Sequence, residues 1–249
     1  MRAYNALNER CQAFVEAQGS RQPVMQLTTS LRVIALFDEM SDADLGRVGE
    51  LCTTSTYKRN AQILGEDDRT DDVFFILAGA VRINSISSKG REVIYSECTA
   101  GNIFGEFSAI DGLPRSATVH AMTDCVLARM PAASFFELIH SNGPVATKLV
   151  ELLVAKIRKT SQQVFEVAAL SLRERLRREL LRLATTGERS GNSVVIDPAP
   201  THREIASYLG SHREAVTREF SRFESDGILE VHRRQIRILD VQRLERMHT

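Results

Sequence analysis

Between residues 56 and 130 the sequence is divided into short β-rich runs at regular spacing: Val73–Leu77, Val81–Ile86, Val93–Cys98, Ala117–Ala121 and Cys125–Met130. Turn clusters separate them, at Asp67-Asp68, Gly79, Lys89-Gly90, Gly101 and Asp111-Gly112. Many short strands at even spacing predict a sandwich or barrel. The remaining elements must pack around that body.

Within this region lies FGEFSAIDGLPRSATV, Phe104 to Val119. Gly105 lets the backbone approach closely. Glu106 can accept from a sugar hydroxyl, and Arg115 offers a forked donor that fits phosphate oxygens. Ser116 adds a hydroxyl, Phe107 adjoins the carboxylate, and Pro114 restricts the chain's entry to Arg115. A helical turn is expected between Gly105 and Ile110, its first N–H groups toward an anion. The set suits a small anion carrying both a ribose and a phosphate. The plainer alternative is a surface loop of solvated charges. A metal-dependent jelly-roll enzyme of the cupin type would need clustered His ligands, and this region offers only His120.

Beyond the strands the pattern turns helical. Ser134 with Glu137 reads as a capping box, and Pro144 after Gly143 as a helix start. A long helix is expected over about Val145–Leu170. In it Ala146, Leu149, Leu153, Lys156, Thr160, Gln163 and Val167 fall at alternating three- and four-residue steps, widened by Leu152, Ile157 and Val164. That spacing predicts a coiled-coil-like seam between two copies, or packing on the chain's own domain. Polar Thr160 and Ser161 interrupt the seam, at a cost unless something hydrogen-bonds there. Ser171 with Glu174 starts a further helix with a stripe of Leu172, Leu176, Leu180 and Leu183, and Thr185–Asn192 reads as a loop. Upstream, a polar helix (Tyr4–Gln18) and a linker fill residues 1–26. A helical pattern then runs from Leu27 to about Cys52, with Ser41 capping Asp42–Leu51.

Residues 201–223 read THREIASYLGSHREAVTREFSRF. Thr201 with Glu204 caps one helix, Ser211 with Glu214 caps another, and Gly210 sits at the turn between them. Ala206, Val216 and Phe220 are spaced to pack the pair together, as in a helix-turn-helix. Arg213, Glu214, Thr217 and Arg218 share the other face of the second helix, where Arg can read guanine and Glu cytosine. Thr201, at the start of the first helix, is a further candidate DNA contact. His202, Arg203 and His212 are candidate phosphate contacts. Glu219 and Glu224 read as solvated charges, and Glu230–Leu239 as a hairpin wing.

Both constellations resemble one family. The stretch from Phe104 resembles the phosphate-binding cassette of cyclic-nucleotide-binding domains, roughly F-G-E, a spacer, then R-S/T-A-T/S. The run S-H-R-E-A-V-T-R resembles the recognition helix of the cyclic-AMP receptor protein / fumarate-nitrate regulator (CRP/FNR) family, with R-E-x-V-x-R kept as Arg213, Glu214, Val216 and Arg218. The resemblance covers about residues 28–240. It implies an α+β architecture: an N-terminal β-jelly-roll cyclic-nucleotide-binding domain (27–143), a long dimerisation helix (144–170) and a C-terminal winged helix-turn-helix domain (171–249). It further implies that Thr160 and Ser161 contact the nucleotide base, one from each subunit, and that Lys156 stands where the family often carries Arg. The expected cofactor is a cyclic nucleotide, cAMP or cGMP, without a metal. The expected partners are a second copy, double-stranded DNA at TGTGA-like palindromes, and RNA polymerase. A regulator of the same superfamily answering to redox state or haem, or binding DNA constitutively, is the alternative.

Charge supports the division. Residues 1–170 hold 17 Lys+Arg against 20 Asp+Glu, whereas residues 171–249 hold 15 Arg against 12 acids. A basic C-terminal part points toward nucleic acid. Cys11, Cys52, Cys98 and Cys125 are scattered without metal-ligand spacing. No run has the length of a membrane span and no signal-peptide core opens the chain, so a cytoplasmic protein is expected; no nucleophile–base pair accompanies the Phe104 stretch, so a non-enzymatic one is expected.

Overall fold

The computed structural model describes residues 24–247, with side chains from Leu27 onward; the expected Tyr4–Gln18 helix lies outside them. The chain divides into two compact units. The first comprises residues up to Ser87 with Ile94–Ile157, and the second Ser88–Val93 with the residues from Arg158 on.

The first unit opens with α1 (Val24–Leu31), a 3-10 turn (Ala35–Phe37) and α2 (Asp42–Glu50). Ser41 caps α2 as expected, its Oγ accepting from Asp44 N at 3.1 Å. Eight strands follow: β1 (Thr53–Tyr57), β2 (Gln62–Leu64), β3 (Val73–Ala78), β4 (Ala80–Ile86), β5 (Glu92–Thr99), β6 (Ile103–Phe104), β7 (Thr118–Ala121) and β8 (Cys125–Met130). The short helix α3 (Glu106–Asp111) sits between β6 and β7. The strands form two four-stranded sheets, in orders β1-β8-β3-β6 and β2-β7-β4-β5, a jelly roll.

Every residue of β3 is buried, and the period-2 geometry of a strand explains why. Val73, Phe75 and Leu77 enter a core shared with the helices, while Phe74 and Ile76 enter the core between the sheets. β8 alternates in the same way, Val126, Ala128 and Met130 against Cys125 and Leu127. A strand covered on both faces reads as a continuous apolar run.

α4 (Ala132–Ser141) and α5 (Gly143–Ala169) complete the helical side. The capping box expected at Ser134 is absent. α4 begins three residues earlier, with Pro131 at its N-cap and no side-chain cap. Phe135, fully buried, bonds through its N–H to Pro131 O and sets that start. α5 begins at Gly143 and Pro144, as expected.

The seam on α5 differs from expectation. Leu149 is buried, and Leu152 and Leu153 pack against the helical core of the first unit. The exposed apolar row joins Val150 and Val154 to the expected Ile157 and Val164, with Phe165 and the expected Val167 at its margins. At 3.6 residues per turn this row lies about a quarter turn from the one anticipated. Spacing alone had merged two apolar faces, one of which belongs to the unit's own core.

The second unit contains α6 (Leu172–Ala184), β9 (Glu188–Ser190), β10 (Ser193–Ile196), α7 (His202–Tyr208), α8 (Arg213–Ser225), β11 (Leu229–His232), β12 (Gln235–Ile238) and α9 (Val241–Arg246). Its sheet runs β11-β12-β10-β9. The expected wing is therefore β11–β12. β9, β10 and α9 were not anticipated, and β9 lies within the stretch read as a loop. Ser171 Oγ accepts from Glu174 N at 3.2 Å, whereas the Glu174 carboxylate pairs with Arg177 and Arg178. Leu176, Leu180, Ala206, Val216, Phe220 and Phe223 meet in one core.

Candidate functional site

The loop from β6 into α3 turns at Gly105, whose φ is +82°. A Cβ there would lie 2.8 Å from Asp72 O and 2.9 Å from Arg115 Nη1. Only glycine fits the turn and the close approach together. Phe104 before it is stacked on Phe74, rings 5.0 Å apart and 4° from parallel. α3 spans only six residues, so its dipole is short.

Glu106 is nearly inaccessible, and its Oε1 receives Lys156 Nζ at 2.5 Å. The same ammonium lies 5.6 Å from the Phe107 ring centroid, a cation–π distance. A carboxylate this buried requires a cationic or hydrogen-bonding partner. Phe107 and Ser116 are exposed.

Arg115 is 2% exposed. Its Nε donates to Thr70 Oγ1 at 2.9 Å, Nη1 to Gly105 O at 2.8 Å and Nη2 to Asp72 O at 2.9 Å. Its main chain is braced by the loop after β2: Arg115 N donates to Asp68 O, and Asp67 N to Arg115 O. Burial pushes the guanidinium pKa down, against the fields of Asp72, Asp71, Asp68 and Glu106. Among the described residues no carboxylate is paired with Arg115, and the Asp72 carboxylate lies 3.1 Å from Arg129 Nε. All three acceptors are thus neutral, and three of the five N–H donors are engaged. A buried cation held in this way can accept an anion.

Thr160 and Ser161 are exposed on α5. In helical phase Ser161 falls in the row of Val154, Ile157 and Val164. Thr160 falls one step back, toward the side of Leu153 and Lys156.

In the second unit, Thr201 and Glu204 form the complete capping box expected for α7. The turn to α8 passes through Gly210 at φ +59°. The Ser211 cap is not formed: α8 starts at Arg213 with His212 at its N-cap and no side-chain bond, and Ser211 N closes the turn onto Ala206 O. Arg203, His212, Arg213, Glu214, Thr217 and Arg218 are exposed, opposite buried Val216, Phe220 and Phe223. Glu219, read as a solvated charge, is buried and paired with Arg222 at 2.6 Å and Arg173 at 3.6 Å. Glu224 accepts Val231 N at 3.1 Å.

The comparisons match both constellations in the same order. The family model for the cyclic nucleotide-binding domain matches residues 54–142, and that for the Crp-like helix-turn-helix domain matches residues 174–247. The chain belongs to the CRP/FNR family.

Among its CRP/FNR relatives is the cAMP-activated global transcriptional regulator Vfr of Pseudomonas aeruginosa, 29% identical over 184 residues, or 72% of this chain and 86% of that protein. FixK2 from Bradyrhizobium japonicum is 26% identical at a TM-score of 0.64, covering 78% of this chain and 96% of that one. The c-di-GMP responsive global regulator CLP of Xanthomonas campestris shares the fold, with a TM-score of 0.70 at 18% identity over 80% of this chain and 99% of that one. The chain is accordingly a CRP-family transcription regulator, with a cyclic-nucleotide-binding domain and a DNA-binding helix-turn-helix domain.

Three features of this CRP/FNR site were not read from sequence: Thr70, Asp72 and Arg129. The run EDDRTDD at Glu66–Asp72 is the signal for the first two, and by composition alone it marks only a turn. His202, expected at a phosphate, also packs against the second helix of the pair. Its ring lies 4.3 Å from Phe220 at 10°, and its Nδ1 is 3.0 Å from Thr217 Oγ1. That position serves the packing of α7 on α8. Among the described residues no group of three or more His, Cys, Asp or Glu is arranged to hold a metal ion. No helix there is long and apolar enough to cross a membrane.

Proposed function

We propose that this chain acts in the cytoplasm as a homodimeric, cyclic-nucleotide-dependent regulator, with cAMP its effector and cGMP the second ligand to test. The observation that carries the reading is Arg115, buried among neutral acceptors with donors to spare for a cyclic phosphate. Glu106 then meets the ribose, with Lys156 sharing its charge. Phe107 and Ser116 line the entrance, and Thr160 with the partner's copy of Ser161 reaches the base. The names of relatives such as Vfr support cAMP. Exposed Ser116 beside Arg115 is what favours a trial of cGMP.

The dimer forms along the exposed row of α5, and ligand shifts the population toward one helix arrangement. In that state the two copies of α8 enter successive major grooves of a TGTGA-like palindrome. Arg213, Glu214 and Arg218 read bases, Thr217 lies beside them, and Thr201, Arg203 and His212 reach phosphates. RNA polymerase is the downstream partner.

Calorimetry with cAMP and cGMP tests the ligand. Binding of at least one is expected, and Arg115→Leu should weaken it about a hundredfold, the loss of a charge-assisted pair worth roughly 3 kcal/mol. Binding of neither nucleotide by the wild-type chain, or undiminished affinity in the variant, rejects the reading.

A further inference from the structure

We propose that Arg129 is a positioning residue for the phosphate site: by holding the Asp72 carboxylate, it keeps Arg115 free to receive an external anion. The inference rests on the reading of Arg115 as the phosphate ligand.

Asp72 has two ends with different partners. Its carbonyl accepts Arg115 Nη2 at 2.9 Å, and its carboxylate Oδ2 lies 3.1 Å from Arg129 Nε. The carboxylate therefore belongs to a residue already in contact with the guanidinium, and its field is the first among those acting on Arg115. An aspartate side chain has other staggered rotamers open to it once its partner is removed. A buried Arg–carboxylate pair, once formed, would be strong and would compete with phosphate for the same donors.

The register of the sheet places the guard. Arg129 on β8 pairs with Phe74 on β3 and with Thr53 on β1, which brings its side chain beside the start of β3. The Arg129 side chain is 51% exposed against 16% for Asp72. Its one ion pair among the described residues is this one. A half-exposed arginine adds little to stability through such a pair, so its effect falls on the rotamer of Asp72. Thr70 completes the arrangement: a neutral hydroxyl takes Arg115 Nε, the position where an acid would otherwise neutralise the cation.

The test uses the full-length chain as wild type, Arg129→Gln, Asp72→Asn and the double variant, each titrated calorimetrically with cAMP and cGMP. Thermal melting checks the fold. Arg129→Gln is expected to weaken binding about tenfold, as a released carboxylate competes with the ligand. Asp72→Asn should strengthen it about threefold by removing a negative charge near the phosphate. The double variant should follow Asp72→Asn, a rescue that damage to β8 alone could not produce. Wild-type affinity in Arg129→Gln, or equal losses in Arg129→Gln and the double variant, overturns the proposal. Should Arg129→Gln fail to fold, weaker binding by Asp72→Asn overturns it, and tighter binding supports it. A wild-type chain that binds neither nucleotide rejects the proposed function instead.

Discussion

His202 illustrates how a residue assigned to one partner can be claimed by another. Its type and its place at a helix start suit a phosphate contact, yet its flat face suits Phe220 better. Burial lowers its pKa, helped by the nearby charge of Arg213 and opposed by Glu224. A histidine whose folded pKa is below the unfolded value of about 6.5 is favoured neutral in the fold. Its contribution is present above that value and is lost as pH falls through it toward the folded pKa. The melting temperature of the second unit should therefore drop between pH 7 and pH 5, and His202→Gln should flatten the profile. A variant profile as steep as wild type would assign the acid sensitivity elsewhere.

At the scale of elements, α5 offers the sharpest contrast between its two apolar faces. Ile157→Glu alters the exposed row and should leave the first unit folded while preventing dimer formation, measured by sedimentation. Leu149→Ala removes a buried side chain and should cost about 2–5 kcal/mol of stability in thermal or denaturant melts. The reverse pattern would restore the seam first expected from spacing. That error shows what periodicity leaves open. Leu149 and Val150 are equally apolar, and the choice between them is made by a core that also draws on Leu31, Phe75 and Val126, far away in sequence. The Phe104 cassette was legible because its chemistry sits within sixteen consecutive residues. Thr70 and Arg129 were not, for each reaches the site from a distant strand or loop. β10 escaped because four residues are too few to show a period, and it pairs with β12 some forty residues onward.

For the whole molecule, the proposed assembly makes a geometric demand on DNA. Two copies of α8 related by a two-fold axis require half-site centres about one helical turn, roughly 34 Å, apart. Inserting about half a turn, roughly 5 base pairs, between the half-sites should abolish cAMP-dependent tight binding. Affinity retained in band-shift titrations would mean that the copies bind independently. The near-neutral total charge of the chain conceals the basic second part on which such binding depends. Neutrality overall is thus a poor guide to partners when a chain divides into units.

The pairing of β8 with both β1 and β3 also sets an order of events during synthesis. Thr53 must wait for Arg129, and Val73 for Met130, before either finds its place in the sheet. The cassette at Gly105–Ser116 therefore leaves the ribosome before the strand that carries Arg129. Pairings so far apart in sequence close slowly compared with local ones. The β11–β12 hairpin and the α7–α8 pair, by contrast, join near neighbours. The ligand site is thus among the last parts of the jelly roll to be assembled, although half of it is made early.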